Sequence, residues 1–399
     1  MSPLDSERKA HLHDHADLVP HANFSHGSTV LGHSLSLSAP QFRYAASGEL
    51  ETDTSGPDFE ECVLPIIIYA AWSMNLAEFF KGVPTALNRL QSAGALDSSA
   101  SLVQFVPEKL PMESFNRWIL QAFSQHAPAS LAEFSRLRED HTGDCYQDVV
   151  LLKVAGGAFP AIPAAARAVL DYYTPQLPPS PWSSLGRAGV TRVLFETRPN
   201  RAMRQLGGME DILGECAKRA DLECRTHTFG NHTADMALMQ GCDVLVSYHG
   251  AGQTNAQFMK KGSAMLEVHA RDFGTKFLWW SAFWQPMIVM QTNFELFFWG
   301  LNVEDESLNT NSALEAEGLE KDATLNARDR YVTLQWQFVE PMLAKIQAVG
   351  RNATTYAELT AGHMAHVLYS WKDGALSLDP PIFCSGECGK ELTVDCRPC

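Results

Sequence analysis

Residues 241–269, GCDVLVSYHGAGQTNAQFMKKGSAMLEVH, constrain the fold more than any other stretch of the chain. They read as strand, glycine turn, short helix, strand. Asp243 to Ser247 is a short, mostly apolar, β-branched run of the kind that forms a strand buried on both faces. The run ends at Tyr248 and His249, and Gly250 and Gly252 then allow a sharp turn with bare backbone. Thr254 with Gln257 three residues on has the spacing of a capping box and predicts a helix N-terminus just after the glycines. Lys260 and Lys261 suit the last turn of that helix, Gly262 its C′ position, and Ala264 to Val268 the next strand. Backbone N–H groups left free at the carboxyl end of a parallel strand form an anion site, and a phosphate is the natural guest.

By spacing alone, such a turn suits any α/β domain. The residues themselves add more. HGAGQTNAQFMKKGSAMLEV resembles the signature of glycosyltransferase family 61, in which His-Gly-Ala-Gly, an apolar residue and Thr-Asn lead to a helix, then Pro-Gly and an apolar strand closing on Glu. Gln253 replaces the usual Leu, and Lys261 stands where Pro is common.

The chain has 399 residues, long for one core, so two domains are expected. A hydrophobic share of 45% and a charged share of 19% describe a globular protein. A net charge of −15 argues against nucleic-acid binding and against an anionic membrane surface. The longest apolar run, Val63 to Trp72, is too short to span a bilayer and contains Pro65. Residues 1–20 are charged and His-rich and do not read as a signal peptide or anchor. Family members act in the secretory lumen, Golgi or endoplasmic reticulum, so either the true N-terminus lies upstream or the protein is cytosolic.

Residues 1–57 read as a poorly ordered leader whose histidines, His11, His13, His15, His21 and His26, lack a rigid element to fix metal geometry. A first α/β domain is expected over 58–180. Val63 to Tyr69, Leu102 to Val106 and Val149 to Val154 read as strands. Residues 72–90, with a break near Pro84, Phe115 to Phe123, and Ala161 to Tyr173 read as helices. TGDCYQDVVLLKVAG matches the family's Cys-aromatic stretch before a strand. The Pro-rich QLPPSPW, Gln176 to Trp182, is the expected hinge. A second α/β domain, 186–325, opens with the strand Val190 to Thr197. It continues with the helix Glu210 to Arg219, the strand Leu222 to Thr228, and a helix capped by Thr233. Beyond the glycine motif, FGTKFLWWSAFW could line a pocket, although core packing is the commoner job of such clusters. A helical segment, 326–375, places Tyr331, Leu334, Phe338, Met342 and Ile346 on one stripe. The tail, 376–399, carries Cys384, Cys388, Cys396 and Cys399, which suit disulfides in an oxidising lumen or, alternatively, a zinc knuckle. Sequons at Asn23, Asn231 and Asn352 fit a lumenal chain.

The resemblance implies a GT-B-like α/β architecture, two Rossmann-type domains facing across a cleft with the nucleotide on the second. It implies inverting transfer from a nucleotide sugar, UDP-linked, to a hydroxyl of a protein or glycan. The donor is then a substrate, and no other cofactor and no membrane contact are expected. There is no Asp-x-Asp motif, since Asp235 and Asp243 are too far apart, so no divalent metal is expected. RPNRAMR looks like the family's arginine segment, in which Arg198 and Arg201 suit a diphosphate because guanidinium forks donate in parallel pairs. Arg201 and Arg204, three apart, would share a helix face. His249, Gly250, Ala251, Gly252, Thr254 and Asn255 complete the donor site, where His249 is also catalytic, stabilising the diphosphate leaving group together with Arg198 and the turn N–H groups, and Glu267 is placed to accept from ribose hydroxyls. An inverting transferase also needs a base for the acceptor proton. WSMNLAEFFKGVPTALNRL resembles the family's Asn-x-x-His-x-x-x-Asp segment, with Asn75 at the Asn, Glu78 at the His and Gly82 at the Asp. Glu78 is therefore either the base or a solvated helix carboxylate, and its departure from His leaves a second reading, an inactive nucleotide- or sugar-binding relative. A nicotinamide oxidoreductase is disfavoured, because no G-x-G-x-x-G joins the first strand and helix.

Overall fold

The computed structural model describes residues 64–70, 73, 75–104, 106, 112–136, 150–154, 161–198, 203–276, 295–311, 316, 318, 323–359 and 367–379. Arg201, Asn23, residues 277–284 of the aromatic stretch and the four tail cysteines lie outside the described residues. The chain divides into two compact units, Met1–Gly157 and Ala158–Cys399.

The first unit contains β1 (Pro65–Ala70), α1 (Leu76–Ser92), β2 (Ser101–Gln104), α2 (Ser114–Gln121), β3 (Ala129–Ser130), α3 (Leu131–Arg136) and β4 (Val150–Val154). Its four strands are parallel, in the order β3-β2-β1-β4. Asn75 starts α1 by accepting from the N–H groups of Ala77 and Glu78 at 3.0 and 3.3 Å. The break expected near Pro84 does not occur. Thr85 Oγ1 donates to the carbonyls of Lys81 and Gly82 in the disturbed turn. The buried Phe79, Phe80, Val83 and Leu87 hold the helix on the sheet.

The second unit opens with α4 (Ile162–Tyr173), β5 (Thr191–Glu196), β6 (Leu206–Gly207), α5 (Met209–Cys216), β7 (Leu222–His227), α6 (His232–Gly241) and β8 (Val244–Tyr248). A 3₁₀ segment, Ala251–Phe258, leads to β9 (Ser263–Ala270), α7 (Phe273–Lys276), β10 (Leu296–Val303), β11 (Asn309–Thr310), α8 (Ala323–Asp329) and β12 (Tyr331–Thr333). The unit closes with α9 (Trp336–Val349), α10 (Ala353–Leu359), β13 (Val367–Lys372) and β14 (Ala375–Leu378). The seven-stranded sheet runs β14-β13-β10-β9-β8-β5-β7, parallel except for β14. The order turns back between β5 and β8, and that reversal is where open α/β sheets bind ligands at their carboxyl ends. Both units are α/β, as expected from the sequence.

The compact division falls at Gly157, upstream of the hinge expected at Gln176–Trp182. In the second unit α4 packs on the 3₁₀ segment, and Trp182 Nε1 donates to the Leu238 carbonyl of α6 at 2.8 Å. The Pro-rich stretch is therefore anchored to the second unit. The segment 326–375 is not helical throughout, because β13 and the start of β14 extend the sheet. Phe338, Met342 and Ile346 form the buried stripe of α9, whereas Tyr331 belongs to β12 and Leu334 precedes the helix. Asn231, not Thr233, caps α6 by accepting from Ala234 N–H at 3.2 Å. Cys216 and Cys224 form a disulfide that ties α5 to β7. Among the described residues no helix is long and apolar enough to cross a membrane.

One face of the large sheet is apolar. Val193 and Phe195, Val244, Val246 and Tyr248, Leu266 and Val268, and Trp299 and Leu301 pack there against α9 residues such as Phe338 and Met342. Period-two alternation sends Glu196, Ser247, Glu267, His269, Asn302 and Ser370 to the opposite face. Ser247 lies in register with Glu267, His269 with Asn302, and Asn302 with Ser370. All six are buried, so a polar row crosses the carboxyl half of five strands.

Candidate functional site

The glycine turn follows β8 at the reversal point. Gln253 N–H closes onto the Gly250 carbonyl at 3.1 Å, so the N–H groups of Ala251 and Gly252 precede the hydrogen-bonded ladder. The turn opens a 3₁₀ segment and not the α-helix expected from the capping-box spacing. Thr254 lies inside that segment, and its buried Oγ1 has no hydrogen-bond partner. The segment is tightened from within. Asn255 Nδ2 donates to the Gly252 carbonyl at 2.9 Å, and Gln253 Nε2 to the Tyr248 carbonyl at 3.3 Å. Asn255 thus shapes the turn.

Both glycines are required by what lies against them. A Cβ at Gly250 would collide with the Arg198 guanidinium, and one at Gly252 with the Glu196 carboxylate. Arg198, just past β5, lies across the turn with Nη2 3.5 and 3.4 Å from the carbonyls of Tyr248 and His249. Glu196 takes a hydrogen bond from Ser247 Oγ and pairs with Arg198 Nε at 3.4 Å. Glu196 was not singled out from the sequence. Its signal was its parity: it falls on the face opposite Val193 and Phe195 within one strand.

Arg204 is not on a helix face. Its backbone is left-handed, with φ 57°, and its N–H donates to the Asp329 carbonyl at 3.0 Å. Its guanidinium sits 3.2 Å from Asp329, which Arg328 already grips with two bonds of 2.6 and 2.7 Å. Burial pulls Arg204 down to about 10, while Asp329 pulls the other way. Tyr248 places a buried hydroxyl without a hydrogen-bond partner in the same electrostatic neighbourhood.

His249 and Glu267 meet. His249 is 6% exposed and Glu267 0%, and Nδ1 lies 2.6 Å from Oε1. On the other side His269 Nε2 lies 3.1 Å from Glu267 Oε2, an ion pair whose approach is off the hydrogen-bonding axis. The ribose role expected for Glu267 does not fit this burial. β9 continues to Ala270, so Glu267 sits inside the strand and not at its end. Burial pushes His249 down to about 4, against the pull of Glu267. Burial also opposes ionisation of Glu267, yet the His269 charge and the His249 hydrogen bond hold its carboxyl well below the usual carboxylate range. Burial would lower His269 as well, but the Glu267 carboxylate outweighs it and raises His269 above the ordinary histidine value. The three residues are the one group among those described that offers metal-type donors within 4.8 Å of each other. They touch one another directly, so an ion at about 2.0–2.2 Å from each would have to force them apart.

Glu78, in the first unit, lies in the opening turn of α1, where a carboxylate favours the helix dipole. It forms an ion pair with Lys81, and its side chain is 25% exposed.

No curated protein matches the chain. Residues 78–266 match the family model of Glycosyltransferase 61. The match begins at Glu78 and ends one residue short of Glu267, taking in Arg198, Arg204 and the whole glycine turn. The turn, the arginine that covers it and the strand reversal beneath them all lie inside the matched span, and residues 78–266 form a glycosyltransferase family 61 domain.

Proposed function

We propose that the protein transfers a sugar from a UDP-sugar, with inversion and without a divalent metal, to a hydroxyl of a protein or glycan. The observation that carries this reading is Arg198 lying over the glycine turn at the strand reversal of the second unit. The turn's N–H groups, Arg198, Arg201 and the incompletely satisfied Arg204 would take the diphosphate. They would neutralise the charge that builds on it as the sugar–phosphate bond breaks. On this reading the two units are the paired Rossmann-type domains of a GT-B-like enzyme. The Cys216–Cys224 disulfide supports an oxidising compartment, the lumen of the Golgi or endoplasmic reticulum.

The acceptor oxygen attacks the anomeric carbon, and the bond to the diphosphate breaks with its electron pair leaving on UDP. The hydroxyl proton passes to a base. His249 suits this task, since Glu267 accepts a hydrogen bond from its Nδ1–H, which makes Nε2 the basic nitrogen of the neutral ring. Its value of about 4 makes it as weak a base as an ordinary carboxylate. Glu78 is the second candidate, placed in the first turn of α1 by the Asn75 cap.

Calorimetry with UDP in excess EDTA, followed by a panel of nucleotide sugars scored for hydrolysis and transfer, tests the proposal. UDP should bind with the metal removed, and one donor should turn over. Binding that collapses on chelation and returns with Mn²⁺ overturns the metal-free reading. Tighter binding of another nucleotide overturns the donor class.

A further inference from the structure

We propose that His269 and Asn302, with Asp379 behind them, are positioning residues that fix the proton of His249 on Nδ1 through Glu267. The proposal rests on reading His249 as the group that takes the acceptor proton.

The direction of every hydrogen bond in the row follows from its far end. Asp379, just past β14, accepts Asn302 Nδ2 at 2.8 Å and Ser370 Oγ at 2.8 Å. A carboxylate only accepts, so the Asn302 amide has one orientation, with Oδ1 turned to His269. His269 Nδ1, 2.9 Å from that oxygen, must carry a proton. Its other nitrogen faces Glu267 Oε2 at 3.1 Å, and a bare lone pair there would oppose a carboxylate in a dry interior. Both ring nitrogens are therefore protonated, and His269 is a cation paired with Glu267. The raised value of His269 and the lowered value of Glu267 agree with this.

A carboxylate already balanced by one cation stabilises a second one only weakly. Glu267 still accepts the His249 Nδ1 proton at 2.6 Å, but it does not draw His249 into the charged form. The result is a neutral ring with one tautomer. The other charged groups that face the two rings act in the same sense. Arg204 opposes a positive His249, and Glu304 adds to the pull on His269. Steric contacts fix the planes. Phe273 of α7 packs edge-on against both rings, at 4.9 Å from His249 and 5.7 Å from His269. Gly274 leaves the space in which Asn302 and His269 meet, since a Cβ there would collide with Asn302 Oδ1. His269, Asn302 and Asp379 all lie beyond residue 266, outside the matched family segment.

Nitrogen NMR of the folded protein with labelled histidine side chains, at neutral pH, reads the protons directly. The two rings are identified through their contacts with Phe273. His269 should show two protonated nitrogens, and His249 one, at Nδ1. A neutral His269, or a proton on Nε2 of His249, overturns the proposal. Stoichiometric zinc in the purified protein also overturns it, because an ion would displace these N–H donors.

Kinetics supply the second arm. His269→Gln removes the cation, so Glu267 should pass its pull to His249. The acid limb of the kcat/KM profile should then move to higher pH. Turnover measured below the shifted limb should fall about tenfold or more, while UDP affinity stays within about twofold. An unmoved acid limb, or equal losses in turnover and UDP affinity, overturns the positioning role. His249→Asn separates this failure from failure of the underlying reading. Full transfer by that variant removes His249 as the base, whatever the NMR shows.

Discussion

Two glutamates bracket the matched family segment, and they could hardly differ more. Glu78 opens α1 in the first unit, partly in water, paired with a lysine one turn away. Glu267 lies in the second unit within a strand buried on both faces, and its oxygens meet two imidazoles. Water screens the first carboxylate and leaves it replaceable. The second is out of water, so its charge is felt in full by its neighbours and must be matched by them. A carboxylate at a helix start can be recognised from sequence. What it does depends on how far it is from solvent.

The largest effect expected from this contrast is on stability. Glu267→Gln leaves a buried cation without its partner, and such truncations cost about 3–5 kcal/mol. Urea denaturation measures it, and a loss below about 1 kcal/mol would show that Glu267 is not the charged centre of the row. Next is Arg198→Ala, which should weaken UDP binding by about ten- to a hundredfold, the equivalent of roughly 1.5–3 kcal/mol for a charged hydrogen bond to phosphate. Unchanged affinity by calorimetry would move the diphosphate away from the glycine turn.

A pH series sharpens the comparison. His249 has a folded value near 4 against an ordinary 6.5, so between these limits the unfolded chain binds a proton that the folded one refuses. Stability should therefore fall as the pH drops through that window. His269 is shifted the other way. Its contribution is complete below 6.5 and is lost as the pH rises through its folded value. The urea midpoint should peak between the two flanks, and His249→Asn should flatten the acid one. A flank that survives in that variant belongs to another group. The smallest effect is expected at Glu78. Glu78→Gln should change stability by no more than about 0.5 kcal/mol, as for helix-surface pairs. If it also abolishes turnover while His249→Asn does not, the two glutamates exchange importance and the proton goes to the first unit.

The strands were legible because buried parallel strands are runs of β-branched and apolar residues, and β1, β5, β8 and β9 all fall within a residue or two of their expected starts. The arginine beside the glycine turn was legible for a similar reason, since Arg198 directly follows such a strand. Other features depended on contacts the sequence does not display. Thr254 and Gln257 have capping-box spacing, but the turn is wound as a 3₁₀ segment in which Asn255 makes the internal bond. Glu267 closes the motif, which suggests a strand-end role, whereas β9 runs three residues further. His269, two residues on, shares its face by period-two alternation and could have been found by that rule. Asn302 and Asp379 could not, because only the register of β9, β10, β13 and β14 brings Asn302 to His269 and Asp379 to Asn302. The Cys216–Cys224 disulfide is not legible in the sequence, because only the packing of α5 on β7 brings the two thiols together.

The place of Asp379 has a consequence for the order of synthesis. The parallel strands from β5 to β10 leave the ribosome first and can already pair and bury their apolar face. The amide of Asn302 then has no carboxylate to orient it, and none arrives until the β13–β14 hairpin has been made and has joined the sheet edge. A nascent chain halted before that hairpin would hold the glycine turn and its arginine, yet lack a defined proton on His269. On the proposed role of His249, such a chain is expected to recognise its donor without turning it over, which would leave catalytic competence to the last strands of the sheet.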